Sequence, residues 1–262
     1  MGRPKILLTN DDGINSSAIW AAYDALSEFA DVTVVAPAVQ QSAVGRSISI
    51  FEPLRLNKIK ISGHDAYVAE GRPTDALLLG LYALNLNPDL VVSGINLGEN
   101  ISYESINTSG TVGAAMEAAN QNVPSIAFSL EMKNDGDKFI DPRVKENNFS
   151  QAKEVVSKVV KYFMKNGLPK NCHLLNVNIP DAEIKGYRST ILGTRLFDTS
   201  VEKRLDPRGK PYYWICGKPI YIEEENSDVT ALREGYVSVT PLTMDNTAYK
   251  ACKELEKMID GF

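Results

Sequence analysis

Asp11 and Asp12, in the run Thr9-Asn10-Asp11-Asp12-Gly13, carry the sharpest chemical signal in the chain. Adjacent carboxylates repel, so burying both at a strand end is costly unless a cation neutralises them. The plainer alternative is that one caps the following helix while the other is solvated. Ser42, in Gln41-Ser42-Ala43-Val44-Gly45, offers a hydroxyl ligand or an ordinary turn serine. Asn96, in Ser93-Gly94-Ile95-Asn96, offers an amide oxygen to a metal or satisfies its own loop. Carboxylates, a hydroxyl and amides form the ligand set of a hard divalent cation. The chain has 2 His and 3 Cys, with no Cys-x-x-Cys pair. Any metal is therefore held mostly by oxygen, which favours Mg²⁺, Mn²⁺ or Ca²⁺. The second signal is Asn107-Thr108-Ser109-Gly110-Thr111, where hydroxyls and a glycine precede a helix. Free N–H groups there make either an anion site or a plain cap. Neither a Walker loop nor a Gly-x-Gly-x-x-Gly turn is present, which weakens nucleotide-triphosphate and dehydrogenase readings.

These residues need strands and helices to hold them on one rim. Ile6–Thr9, Val32–Ala36, Ala66–Ala69, Leu90–Ser93, Ser125–Leu130 and Leu174–Ile179 read as short buried strands. Helical spacing runs over Ala18–Phe29, Asp75–Leu86, Thr111–Gln121 and Phe149–Lys165. Strands alternating with helices imply parallel pairing and a three-layer α/β core, Rossmann-like, with a mostly parallel sheet. In such sheets the ligand crevice lies at the carboxyl ends of the strands. Asn10 to Gly13, Gln40 to Ser42 and Gly94 to Asn100 all follow strands, so they are expected to converge. Beyond Tyr187 the chain turns rich in β-branched and aromatic residues, with turn signals at Asp206–Lys210 and Glu225–Asp228. We expect a core over residues 1–186 and, over 187–262, a β-hairpin extension with a final helix at Met244–Met258. Exposed hairpins bury themselves against a second subunit, so a homodimer or homotetramer is expected.

Composition bounds the rest. The 262 residues hold 28 Lys plus Arg against 33 Asp plus Glu, a net charge of −5. That balance argues against a nucleic-acid-binding surface. No apolar stretch reaches the ~20 residues of a membrane span, and no secretory leader is visible, so a cytoplasmic protein without membrane contact is expected.

The motifs Thr9-Asn10-Asp11-Asp12-Gly13, Gln41-Ser42, Gly71-Arg72-Pro73-Thr74-Asp75, Ser93-Gly94-Ile95-Asn96-Leu97-Gly98-Glu99-Asn100, Ser109-Gly110-Thr111-Val112-Gly113 and Pro124–Ser129 occur in order. Together with Asn176-Val177-Asn178-Ile179-Pro180 and Gly235–Leu242, they resemble the SurE family of stationary-phase survival proteins. The resemblance implies a metal-dependent 5'- and 3'-nucleotidase acting on nucleoside monophosphates, with some members also acting on short polyphosphate. It implies one Mg²⁺ or Mn²⁺ per subunit on Asp11, Asp12, Ser42 and Asn96, with Ca²⁺ an occupant in crystals. It places phosphate contacts on Ser109, Gly110 and Thr111, with Asn100 nearby. Asp11, Asp12 and Asn96 become the catalytic candidates, Asp11 as general base or water-orienting group. Three residues depart from the family pattern: Arg72 stands where Thr is common, Ala43 where Gly is usual, and Thr108 where Tyr is frequent. Arg72 is expected either to bind phosphate or to pair with a neighbouring acid. A metal–nucleotide binding protein that does not hydrolyse its ligand is the alternative function.

Overall fold

The computed structural model describes residues 2–132, 148–194, 197–220 and 222–259. In chain order it contains β1 (Lys5–Thr9), α1 (Ser17–Ser27), β2 (Asp31–Pro37), β3 (Leu56–Ile61), β4 (His64–Ala69), α2 (Pro73–Leu78), β5 (Leu90–Leu97), α3 (Ser102–Thr108), α4 (Gly110–Asn120), β6 (Ser125–Leu130), α5 (Ser150–Asn166), β7 (Leu174–Ile179), β8 (Gly186–Ser189), β9 (Phe197–Leu205), β10 (Pro211–Pro219), α6 (Asp228–Arg233), β11 (Tyr236–Leu242) and α7 (Tyr249–Ile259). Nine strands form one sheet in the order β3-β4-β2-β1-β5-β6-β7-β11-β8, and β9 and β10 form a separate hairpin. From β4 to β7 all neighbours are parallel. At the edges, β3 runs antiparallel to β4 and β11 antiparallel to β7.

Alternation along β1 divides the core. Ile6 and Leu8 pack with α1 and α5 residues such as Ile19, Leu26 and Val156, while Leu7 packs on the other face with Leu77 of α2 and Ala118 of α4. A strand covered on both faces reads as a continuous apolar run, and β1 does. The mostly parallel three-layer architecture thus agrees with the alternating strand and helix signals.

Several boundaries differ from the sequence reading. The helix expected over Asp75–Leu86 starts at Pro73 and gives way after Leu78 to a π-helical turn, Leu79–Ala83. The polar loop after β5 contains α3. The turn signal Glu225–Asp228 does not close a hairpin. Ser227 caps α6, accepting from Thr230 N at 3.1 Å, and buried Asp228 accepts from Ser102 N and Gly193 N. The final helix begins at Tyr249, because Asp245 makes a turn, accepting from Thr247 N. The other turn signal does close a hairpin, with Asp206 Oδ1 accepting from Arg208 N and Lys210 N, each at 2.8 Å. Residues 195, 196 and 221 of the expected hairpin stretch lie outside the described residues. No helix among the described residues is long and apolar enough to cross a membrane.

Candidate active site

β1 is the strand where the sheet order reverses. Its neighbours are β2 on one side and β5 on the other. The crevice at such a switch point is the expected ligand site of an open α/β sheet. Asp11 and Asp12 leave β1 there, and Asn96 lies near the carboxyl end of β5.

The turn after β1 is locked by Asn10, whose amide donates to Gly13 O (3.1 Å) and accepts from Gly13 N (3.2 Å). Gly13 adopts φ +91°, a conformation that side chains disfavour, so the chain reverses tightly there. Both carboxylates end up buried, at 5% and 8% exposure. The Thr111 hydroxyl donates to Asp11 Oδ1. Leu97 N donates to Asp12 Oδ2 at 3.1 Å, which brings the end of β5 alongside. Gln41 N donates to Asp11 O at 2.7 Å, which brings the exposed Ser42 alongside as well. Asn96 donates its amide to Gly98 O at 2.7 Å, and its Oδ1 makes no hydrogen bond among the described residues.

Gly110 begins α4 against Asp11. A Cβ on Gly110 would lie 2.8 Å from Asp11 Cβ and 3.1 Å from Pro73 Cγ. The starts of α2 and α4 therefore meet at Asp11. Ser109 caps α4, accepting from Val112 N at 3.1 Å. The backbone at Gly110 and Thr111 lies against the Asp11 carboxylate and favours its charged form. The helix end thus stabilises Asp11 as an anion, and its positive dipole is partly spent on a protein carboxylate.

Asn100 is anchored in the interior. Its amide donates to Ser129 Oγ (2.8 Å), and its carbonyl accepts from Asn176 Nδ2 (2.7 Å) and Asn178 Nδ2 (3.1 Å). Ser129, Asn176 and Asn178 lie in motifs of the family resemblance, and Gln40 in the loop after β2, but none is among the expected site residues. The sequence does not show that the first three meet Asn100 or that Gln40 hydrogen-bonds Asp12, since these contacts span up to 78 residues.

Burial pushes both carboxyls up. For Asp11 the cause is desolvation, opposed by Thr111 and backbone N–H groups. Asp12 is pushed up to about 8, by desolvation first and then by the Asp11 charge. No Lys, Arg or His side chain pairs with either among the described residues. No group of three or more His, Cys, Asp or Glu gathers there either, so a cation would need the Ser42 and Asn96 oxygens. Two oxygens of the aspartates, one hydroxyl and one free amide oxygen fit a hard divalent ion.

A carboxyl whose folded pKa is raised stabilises the fold while protonated. That contribution is complete below about pH 4 and is lost as pH rises through about 8. A divalent ion held by the pair would restore it by neutralising both carboxylates, but at low pH it would first have to displace a proton. Saturating Mg²⁺ is therefore expected to raise the thermal midpoint more at pH 8 than at pH 5, measured by differential scanning calorimetry. Equal gains at both pH values, or none, would contradict this.

A family model described as "Survival protein SurE" matches residues 6–199. The chain belongs to the SurE family. This SurE-family chain is 71% identical over 259 residues to a protein of Methanocorpusculum labreanum named 5'-nucleotidase SurE, covering 99% of this chain and 98% of the relative. It is 49% identical over 261 residues to one of the same name from Methanosarcina mazei, covering 98% of each. Among solved structures, the SurE protein of Aquifex aeolicus superposes with a TM-score of 0.82 at 39% identity, covering 98% of this chain and 100% of that one.

Proposed function

We propose that this protein hydrolyses nucleoside 5'-monophosphates to nucleoside and phosphate, using one divalent cation per subunit, Mg²⁺ or Mn²⁺, held by Asp11, Asp12, Ser42 and Asn96. The protein is an enzyme, a 5'-nucleotidase. The observation that carries the metal is the pair of buried carboxylates at the switch point with no protein cation beside them. None of the groups described at Asp11 is specific to a sugar, and the resemblance to the SurE family covers further phosphate substrates. The proposal therefore extends to 3'-monophosphates and short polyphosphate.

Bound there, a divalent cation supplies positive charge to the phosphoryl oxygens and acidity to a water. Asp11, oriented by Thr111 and the start of α4, accepts a proton from the attacking water or aligns it. Asp12 is fixed by Leu97 N–H and keeps Asn96 beside it. Ser109, Gly110, Thr111 and Asn100 form the rim against which the phosphate rests. Phosphate release from AMP, GMP, CMP and UMP is expected with Mg²⁺ or Mn²⁺ and lost in EDTA. Activity that persists in EDTA would end the metal assignment. Tight nucleotide binding without release would favour the binding-protein alternative.

The proposal includes a homodimer or homotetramer built on the 187–262 region. The β9–β10 hairpin leaves Trp214 57% and Ile215 81% exposed, and α7 buries none of its residues. Such an apolar hairpin is unfavourable in water. Light scattering is expected to give a multiple of the 28.8 kDa chain mass; a monomer would refute it.

A further inference from the structure

Arg72 stands at the start of α2 with its backbone clamped. Its N–H donates to Asp75 Oδ2 at 2.9 Å and its carbonyl accepts from Ala76 N at 3.0 Å. The next residue, Pro73, touches the space that Gly110 leaves beside Asp11. Arg72 is half-buried, yet among the described residues its guanidinium makes no hydrogen bond or ion pair.

The acids nearest it in the chain are already engaged. Buried Asp75 is taken up by Ser49 N (2.9 Å), Ser49 Oγ (2.7 Å) and the Arg72 backbone. Glu70 pairs with Arg55 at 3.7 Å. Pairing with a neighbouring acid, one of the two roles open to Arg72, is therefore not what the structure provides. Meanwhile the start of α4, the obvious anion-binding end, already lies against the Asp11 carboxylate, and the Thr111 hydroxyl donates to it. A phosphate monoester entering this crevice lacks a side-chain cation unless Arg72 supplies it. A planar guanidinium binds phosphate oxygens in pairs, which a Thr at this position cannot do.

We propose that Arg72 is a phosphate-binding residue of this site, receiving the substrate's phosphate oxygens from the start of α2, next to the place where Pro73, Gly110 and Asp11 meet. The proposal rests on the phosphomonoesterase reading, but its primary test does not need turnover. Titration calorimetry with inorganic phosphate in Mg²⁺ is run on wild type, Arg72→Ala, Arg72→Thr and Arg72→Lys. Loss of one charge-assisted contact is expected to weaken phosphate binding about 10- to 100-fold in Ala and Thr. Lys should recover part of the loss, as a point charge without the fork. In turnover assays the same variants should raise KM by a similar factor with kcat within a few-fold, and thermal midpoints should stay near wild type. Equal phosphate affinity in wild type and Arg72→Ala, or no phosphate binding by wild type, overturns the proposal. If wild type binds phosphate in an Arg72-dependent way but releases none from any nucleoside monophosphate, the nucleotidase reading fails while the anion role of Arg72 stands.

Discussion

Asp11→Asn is expected to cut phosphate release from nucleoside monophosphates by about 10³-fold or more, with the far-UV circular dichroism unchanged. Asp11 is the point where three segments meet. Thr111 and Gly110 hold its side chain, Gln41 binds its carbonyl, and Asp12 follows it in the chain. The amide keeps an oxygen for the Thr111 hydroxyl, so the turn should persist. It loses the negative charge that a cation needs and the basicity that the water needs. The same change should relieve Asp12, whose carboxyl is pushed up to about 8 partly by the Asp11 charge. Cation-free Asp11→Asn is therefore expected to be no less stable than wild type at pH 8 while binding Mg²⁺ far more weakly. Wild-type turnover in this variant would remove Asp11, and with it the metal assignment, from the mechanism.

Gly110→Ala is expected to cost about 100-fold in kcat/KM without altering any charge or donor. The new Cβ would fall 2.8 Å from Asp11 Cβ, 3.0 Å from Asp11 Oδ2 and 3.1 Å from Pro73 Cγ. Neither neighbour is the far end of a flexible chain, so Asp11 or the start of α2 must shift. The fold itself should suffer little, because Ala is favoured over Gly in a helix by about 1 kcal/mol, which offsets part of the strain. Kinetics combined with a thermal melt separate the two effects. Activity near wild type would mean that Asp11 tolerates displacement and that its position is not critical.

Much of the fold is visible in the sequence because the central strands are short apolar runs covered on both faces. Ser125–Leu130 and Leu174–Ile179 coincide with β6 and β7. The edges were harder. β3 mixes exposed and half-buried residues, with two lysines and an asparagine, a weak signal that becomes a strand only by pairing with β4. α3 and α6 are short and polar, and their ends depend on distant partners such as Asp228, which bonds Ser102 across 126 residues.

The candidate site divides in the same way. By itself the sequence determined which donor types follow which strands: Asp11 and Asp12 after β1, Ser42 after β2, Asn96 at the end of β5, and hydroxyls at the start of α4. Strand order depends on pairing among segments far apart, so only the tertiary structure placed β1 between β2 and β5 and brought those donors to one switch point. It also decided how each donor is used. Burial of both aspartates raises their pKa values, the start of α4 lies against Asp11, and Glu70 and Asp75, on either side of Arg72 in the chain, have other partners. Charge environment and hydrogen-bond commitment are properties of neighbours in space, and no local spacing of residues encodes them.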